Sequence, residues 1–247
     1  MKLLSYNIRF GGRGREVRLA EVIKVVAPDL VVFQEASDTR VVAELARITD
    51  MPFWAARPDY SIGYISRTEI AHHEWHRPAG AKHSFLEIVL AEDNARVFGL
   101  HLKARFSKWS ESRRAYEIRA LLDGIAQHQH GFHVLVGDFN TLAPGELLDV
   151  RRMPHWIRAL VWLSGRDIQR ETIQIMLDAR YVDGYRHLYP HDKGYTFPVW
   201  DPHLRLDYIF LPAQFAGHLK SCRVINDLAE VSRASDHYPL LAELELG

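Results

Sequence analysis

The order of strand-like and helix-like segments constrains the fold of this chain more than any other feature. The first 36 residues contain a strand in KLLSYNIRF, a helix in REVRLAEVIKVV and a buried strand in DLVVFQE. A second helix follows in SDTRVVAELARI, with Ser37 or Asp38 as its N-cap. The later segments are mostly short strands, apart from one clear helix in ESRRAYEIRALLDGIAQ and a largely helical stretch at residues 145–180. Early alternation followed by a predominance of strands predicts an α/β domain with mixed sheets rather than a purely parallel one.

Composition places the chain among ordinary globular proteins, since 47% of its 247 residues are apolar and 25% are charged. The 31 basic and 31 acidic residues balance, which argues against a broad nucleic-acid groove but is compatible with a local basic patch. The single cysteine, Cys222, excludes an internal disulfide. The chain has no repeat, low-complexity tract or linker, so we expect one domain over residues 1–247.

The N-terminal region lacks the pattern of a signal peptide, because Met1 leads almost directly into a predicted strand. The longest apolar run is far shorter than the roughly 20 residues that span a bilayer. We therefore expect no transmembrane segment and a cytoplasmic location.

Polar side chains recur at the ends of the predicted strands and at positions within them. Each has a local interpretation: Gly, Asp and Asn in VLVGDFNT suit a turn, a glutamate can cap a helix, and a histidine can be a hydrogen-bonded core residue. Asp207 is harder to explain in this way, because an unpaired carboxylate among Leu206, Tyr208 and Ile209 is costly to bury. The full set is Asn7, Glu35, His101, Asp138, Asn140, Asp207, Asp236 and His237.

Together these groups predict an oxygen-rich site of the kind that binds Mg²⁺ or Mn²⁺. The chain has no CxxC or HExxH pattern for zinc. It also lacks a GxxxxGK[ST] phosphate loop, a GxGxxG fingerprint and a GxSxG nucleophile elbow. A metal ion, an acid and an imidazole together favour attack of water on a phosphate ester.

The order of six segments resembles that of the endonuclease/exonuclease/phosphatase superfamily. These segments are SYNIR, VVFQE, HLKA, GDFNT, RLDYIF and SDHYPL, and they extend from residue 3 to about residue 245. The resemblance implies a four-layer α/β/β/α sandwich in which two mixed sheets pack face to face. It also implies a metal-dependent phosphoric ester hydrolase, and it makes the turn-only interpretation of GDFNT the weaker one.

The resemblance also implies roles for individual residues. Glu35 is expected to be the principal metal ligand, with Asn7 beside it and Asp236 completing the metal or nucleophile shell. Asp138 and Asn140 are expected to activate water and hold the phosphate. Asp207 is expected to pair with His237 and fix its tautomer, and His101 to donate to a phosphoryl oxygen.

One departure concerns the position two residues after the first asparagine, where abasic-site endonucleases carry an aspartate. This chain has Arg9 there, as pancreatic-type deoxyribonucleases do, which weakens an abasic-repair assignment. A guanidinium cannot ligate a metal ion, but it can contact the substrate phosphate. Those secreted deoxyribonucleases rely on disulfides, which this chain cannot form.

A second departure is a mainly helical insertion at about residues 142–180. Its segment 151–166, RRMPHWIRALVWLSGR, is open to three interpretations. It is a helix that contacts a phospholipid surface, a lid over a nucleic acid, or an amphipathic helix packed on the core. Two other segments are also open to two interpretations each. The basic segment HLKARFSKWSESRR is a phosphate-binding patch or a solvated surface, and the aromatic segment GYTFPVWDPHLR is a wall of the substrate site or part of the core.

The favoured function is a Mg²⁺-dependent phosphodiesterase, with Mn²⁺ as a substitute, that hydrolyses nucleic-acid or nucleotide phosphodiesters by metal-assisted attack of water. The alternative is a sphingomyelinase-like phospholipid phosphodiesterase. A third interpretation is a silent relative that only binds phosphorylated partners. It is disfavoured because the chain retains every residue of the expected site.

Overall fold

Two six-stranded β-sheets form the centre of the chain in a computed structural model, which describes residues 1–104, 107–146, 151, 158 and 170–246. The first sheet contains β1 (Lys2–Asn7), β2 (Leu30–Gln34), β3 (Phe53–Ala56), β4 (Ile62–Ser66), β11 (Leu219–Val224) and β12 (Leu240–Leu244), in the order β11-β12-β1-β2-β4-β3. The second contains β5 (Ile70–His76), β6 (Phe85–Leu90), β7 (Arg96–His101), β8 (His133–Asp138), β9 (Tyr181–Asp183) and β10 (Asp207–Pro212), in the order β5-β6-β7-β8-β10-β9. Both sheets are mixed, because β1–β2 and β7–β8 are parallel and the other pairs are antiparallel.

Helices cover the outer faces of the two sheets. The described α-helices are α1 (Glu16–Val26), α2 (Thr39–Thr49), α3 (Lys108–Gly124), α4 (Glu171–Asp178), α5 (Gly184–Leu188) and α6 (Val231–Ala234). The apolar stripes of α1 and α2 pack with Leu4, Tyr6 and Phe33 of the first sheet. Those of α3 and α4 pack with Phe98 and Phe210 of the second sheet.

A third apolar cluster lies between the sheets and joins them face to face. It includes Leu3 and Val32 from the first sheet and Val97, Val136 and Ile209 from the second. The sheets approach so closely at Gly99 in β7 that an added Cβ atom would lie 2.6 Å from Cγ1 of Val32. The predicted four-layer sandwich with two mixed sheets is therefore confirmed.

Several elements differ from the sequence prediction. The sequence does not predict strand β3 or the edge strand β5. In β5 only Trp75 is buried, so the strand lacks the apolar alternation from which strands are usually recognised. The described end of the insertion is helical in α4 and then forms β9 from Tyr181. Residues 151–166 lie outside the described residues except for Arg151 and Arg158, so the three interpretations of that segment stay predictions.

No helix among the described residues has the length and apolar character required to cross a membrane.

Candidate functional site

The polar residues predicted from the sequence meet at one end of the sandwich, because the strands that carry them end or begin there. In the second sheet, Asp138 at the end of β8 is paired in register with His101 of β7 and with Asp207 of β10. In the first sheet, Asn7 ends β1 and is paired with the last residue of β2, directly before Glu35. The site therefore lies between the two sheets.

Gly137 explains why the segment GDFN contains a glycine before its aspartate. Its φ is 150°, and an added Cβ atom would lie 1.9 Å from the carbonyl oxygen of Leu100 in the neighbouring strand. No side chain fits in that space, so only glycine lets β8 run beside β7 up to Asp138.

Asp138 is buried and receives two hydrogen bonds. The Nδ2 atom of Asn7 donates to Oδ2 across the gap between the sheets, at 3.0 Å, and the backbone N–H of Asn140 donates to Oδ1 at 2.9 Å. The Nε2 atoms of His101 and His237 lie 3.8 and 3.9 Å from Oδ2. Burial and the nearby Asp207 carboxylate raise the pKa of Asp138 well above its usual range.

His237 and Asp207 form a buried pair in which Nδ1 of the imidazole lies 2.8 Å from Oδ2 of the carboxylate. Burial by itself would lower the pKa of His237, but the hydrogen-bonded Asp207, with Asp138 and Asp236 nearby, raises it to about 10. The imidazole is therefore a cation at neutral pH, and its Nε2 atom is the one directed toward Asp138. The ring of Phe197 packs against the imidazole, with the ring centres 4.7 Å apart.

Glu35 adopts a left-handed backbone conformation, with φ of 57°, immediately after β2. Its Oε2 atom accepts the backbone N–H of Phe10 at 2.5 Å, and its Oε1 atom lies 3.5 Å from Nδ2 of Asn7. Asn7 therefore connects the carboxylates of Glu35 and Asp138, while its own Oδ1 accepts the backbone N–H of Arg9 at 2.9 Å.

Asn140 also has a left-handed backbone, with φ of 53°, which returns its side chain toward the strand end. Its Nδ2 atom donates to the carbonyl oxygen of Leu102 at 2.9 Å. An amide nitrogen has two N–H groups, so this bond leaves a second donor for another acceptor.

Arg9 and Asp236 form an ion pair at the edge of the site. Nε of Arg9 lies 3.3 Å from Oδ2 of Asp236, and about two fifths of the Arg9 side chain is exposed. Arg9 therefore lies beside a carboxylate instead of extending alone into solvent.

His101 is buried, and its Nδ1 atom has no hydrogen-bond partner among the described residues. Burial lowers its pKa to about 4, so the imidazole is neutral at neutral pH. A neutral ring can donate one hydrogen bond, as the predicted contact with a phosphoryl oxygen requires.

Three of these residues form a cluster that could hold a metal ion. One potential ligand atom from each of Asp138, Asp207 and His237 lies within 4.8 Å of the others. The family resemblance implies catalytic roles for these three residues. The predicted ligand Asn7 bonds to Asp138 of the cluster, and Glu35 is connected to the cluster through Asn7. The predicted site residues are therefore close together, with Asp236 at the rim.

A buried ion pair that the sequence did not predict bonds to Thr141, the residue that follows Asn140. Glu111 and Arg114 of α3 are each 2% exposed, and their side chains are bonded at 2.8 Å. The Glu111 carboxylate also accepts two hydrogen bonds, one from the hydroxyl group of Thr141 at 2.9 Å and one from the backbone N–H of Thr172 at 2.8 Å. At three residues apart on a helix the pair resembles an ordinary surface pair, so no sequence signal distinguishes it.

Two arginines of the basic segment, Arg113 and Arg114, are engaged in contacts within the protein. Arg114 is buried in this ion pair, contrary to both interpretations, and Arg113 bonds to Glu117 and to the carbonyl oxygen of Gly80. Arg105 lies outside the described residues. In the aromatic segment, Phe197 contacts His237 while Trp200 is 66% exposed, so the two aromatic residues have different surroundings.

Comparison with solved structures shows the same fold in proteins of distant sequence. The 3′ phosphatase NExo from Neisseria, bound to a product DNA hairpin, is 22% identical with a TM-score of 0.71, covering 99% of both chains. The 3′-5′ exonuclease NExo from Neisseria meningitidis is 22% identical with a TM-score of 0.73, covering 99% of this chain and 100% of the other. An AP endonuclease from Archaeoglobus fulgidus is 19% identical with a TM-score of 0.70, covering 99% of both chains.

No curated protein is significantly similar to the chain in sequence. A sequence model of the Endonuclease/Exonuclease/phosphatase family matches residues 4–237, nearly the whole chain.

Proposed function

The chain belongs to the endonuclease/exonuclease/phosphatase family of phosphoric ester hydrolases, and from this premise we propose that it is a phosphodiesterase that hydrolyses nucleic-acid or nucleotide phosphodiesters with Mg²⁺ or Mn²⁺. The observation that carries the proposal is that the buried cluster of Asp138, Asp207 and His237 lies against the expected metal ligands, because Nδ2 of Asn7 is 3.0 Å from Asp138 and 3.5 Å from Glu35. The substrate class is supported by the three similar structures described above, which are a 3′ phosphatase bound to DNA, a 3′-5′ exonuclease and an AP endonuclease.

The donor set fits a hard divalent cation. Carboxylates of Glu35 and Asp138 face the same amide group of Asn7, and oxygen ligands of this kind are preferred by Mg²⁺ and Mn²⁺. Burial and the nearby Asp207 carboxylate raise the pKa of Asp138, and a bound cation would favour its anionic form. We assign Glu35 and Asn7 as the principal ligands, with Asp236 at the rim. When bound, such a cation supplies Lewis-acid stabilisation of the charge on the phosphoryl oxygens.

His237 acts as a fixed positive charge in this mechanism. Asp207 holds the proton on Nδ1 and favours the imidazolium, so the Nε2–H group is directed at the position where negative charge develops on the phosphate. A preorganised donor of this kind needs no reorientation during the reaction.

Asp138 accepts a proton from the attacking water. A carboxylate whose pKa is raised is a stronger base than an ordinary aspartate, and the Asn140 and Asn7 bonds keep it oriented. The free N–H of the Asn140 amide and the neutral His101 ring donate to phosphoryl oxygens, and Arg9 contacts the substrate phosphate from the rim.

The phospholipid alternative depends on residues 151–166, of which the structure describes only Arg151 and Arg158. No observation among the described residues favours it over nucleic acid.

A substrate panel tests the proposal. The purified protein is incubated with Mn²⁺ or Mg²⁺ and single-stranded DNA, duplex DNA, a 3′-phosphorylated oligonucleotide, RNA and sphingomyelin vesicles. We expect turnover of a nucleic-acid phosphodiester that EDTA abolishes. Turnover of sphingomyelin alone would contradict the substrate class, and no metal-dependent turnover of any ester would contradict the function.

A further inference from the structure

Phe10 is an unusual residue beside the site that the mechanism does not use. It is 77% exposed, although large apolar side chains are normally buried. Its φ is 46°, a left-handed conformation that is strained for a bulky residue. Strained backbone of this kind is concentrated at functional sites, where the surrounding structure maintains it.

The surrounding contacts fix Phe10 in this conformation next to the predicted metal ligand. Its backbone N–H donates to Oε2 of Glu35 at 2.5 Å, and the N–H of Gly11 donates to the backbone carbonyl of Glu35 at 3.0 Å. The guanidinium of Arg15 donates to the backbone carbonyls of Ile8 and Arg9. The position of the exposed ring is therefore tied directly to the carboxylate at the site.

The chemistry around the ring suits an aromatic ligand attached to a phosphate. The guanidinium carbon of Arg9 lies 5.4 Å from the centre of the Phe10 ring, and Arg9 also reaches Asp236 at the site. An exposed aromatic face beside a cation is the combination with which proteins bind single-stranded nucleic acid, where bases stack on the ring and cations track the backbone.

We propose that Phe10 is a specificity-determining residue that stacks on the nucleobase next to the scissile phosphate. This inference rests on the proposed function and adds to it a preference for substrates in which that base is present and unstacked from its neighbours. The Phe10 ring then orders the nucleotide, and the polar residues act on its phosphate.

The test compares two oligonucleotides of equal length, one with all its bases and one with base-free tetrahydrofuran residues at the cleaved position. Phe10→Asn removes the ring but suits a left-handed backbone, and Phe10→Tyr keeps an aromatic face. Trp54→Leu serves as the matched aromatic control, because Trp54 is 41% exposed on the edge strand β3, at the end remote from Glu35.

We expect Phe10→Asn to lower kcat/KM for the base-bearing substrate about tenfold or more, as loss of one stacked base does, and to leave the base-free substrate unchanged. Phe10→Tyr and Trp54→Leu should behave like the wild type on both. An equal loss on both substrates would overturn the proposal, because the loop would then act only through Glu35, and so would no loss on either. If the wild type cleaves neither substrate, the proposed function itself fails.

Discussion

His237 and Asp207 connect the two sheets at the site, since Nδ1 of His237 lies 2.8 Å from Oδ2 of Asp207. Asp207 begins β10 in the second sheet, while His237 lies just before β12 in the first. The bond between Asn7 and Asp138 also joins β1 in the first sheet to β8 in the second. The catalytic geometry therefore depends on how the sheets pack, and each contact across the gap can be tested separately.

The Asp207→Asn substitution should lower the pKa of His237 in the metal-free protein. In the wild type this pKa is raised to about 10. The pair therefore contributes its full stabilisation of the folded state when the pH is below about 6.5, the ordinary pKa of histidine. That stabilisation is lost as the pH rises toward 10. NMR titration of the histidine rings should show His237 protonated at pH 8 in the wild type and neutral in Asp207→Asn. A wild-type His237 that is neutral at pH 8 would contradict the assignment.

The Glu35→Gln substitution should remove most of the stabilisation that a divalent cation gives. A ligand that binds only the folded state at 100 times its Kd raises the free energy of unfolding by about 2.7 kcal/mol. We expect an increase of that order for the wild type in Mn²⁺ and little for Glu35→Gln, measured by urea unfolding with and without EDTA. Glu21→Gln, on the exposed face of α1, should retain the wild-type increase. Retention of the full increase by Glu35→Gln would remove Glu35 from the metal site.

The Gly137→Ala substitution should destabilise the fold and abolish activity together. Its methyl group would lie 1.9 Å from the carbonyl oxygen of Leu100, so β8 must shift and Asp138 with it. We expect a loss of at least about 3 kcal/mol in the free energy of unfolding. Gly131→Ala is the matched control, because its added methyl group would have an ordinary contact of 3.7 Å. Equal stability of the two variants would show that β7 and β8 are not packed as described.

The Glu111→Gln substitution should cost roughly 3–5 kcal/mol of unfolding free energy, because it removes the carboxylate charge that is paired with the buried Arg114 guanidinium. Glu44→Gln is the matched control, since Glu44 and Arg47 form an i,i+3 pair on α2 with the same spacing but exposed to solvent. It should unfold close to the wild type. Because Glu111 also holds Thr141 beside Asn140, Glu111→Gln should lower kcat in conditions where it remains folded. Wild-type stability of Glu111→Gln would contradict the burial of the pair.

The buried strands were predictable because their apolar runs are continuous. All residues of β2, β8 and β10 are buried, and the sequence shows this directly as LVVFQ, HVLVGD and DYIFLP. Strand β5 was not predictable in the same way, because an edge strand with one face in solvent carries His72, His73 and Glu74. The face-to-face packing of the sheets could be predicted only from the family resemblance, because the spacing of residues within one strand contains no information about the opposite sheet.

A site residue such as Asp207 was predictable because a carboxylate in an apolar strand is costly to bury unless it has a partner. The contacts of those residues were not, because they depend on which loops meet after folding. Arg9 pairs with Asp236, 227 residues later in the chain, and nothing near Arg9 in the sequence indicates it. The exposed, left-handed Phe10 likewise becomes unusual only when its position beside Glu35 is known.

Cleavage of a labelled oligonucleotide under single-turnover conditions tests the central claim most directly. Wild type, Asp138→Asn and the surface control Asp123→Asn are compared in Mn²⁺ and in EDTA, with circular dichroism to verify folding. We predict that wild type and Asp123→Asn cleave only with Mn²⁺, and that Asp138→Asn is slower by about 10²–10⁴, the contribution of a general base. Cleavage by folded Asp138→Asn at the wild-type rate, or undiminished cleavage in EDTA, would contradict a metal-dependent phosphodiesterase centred on Asp138.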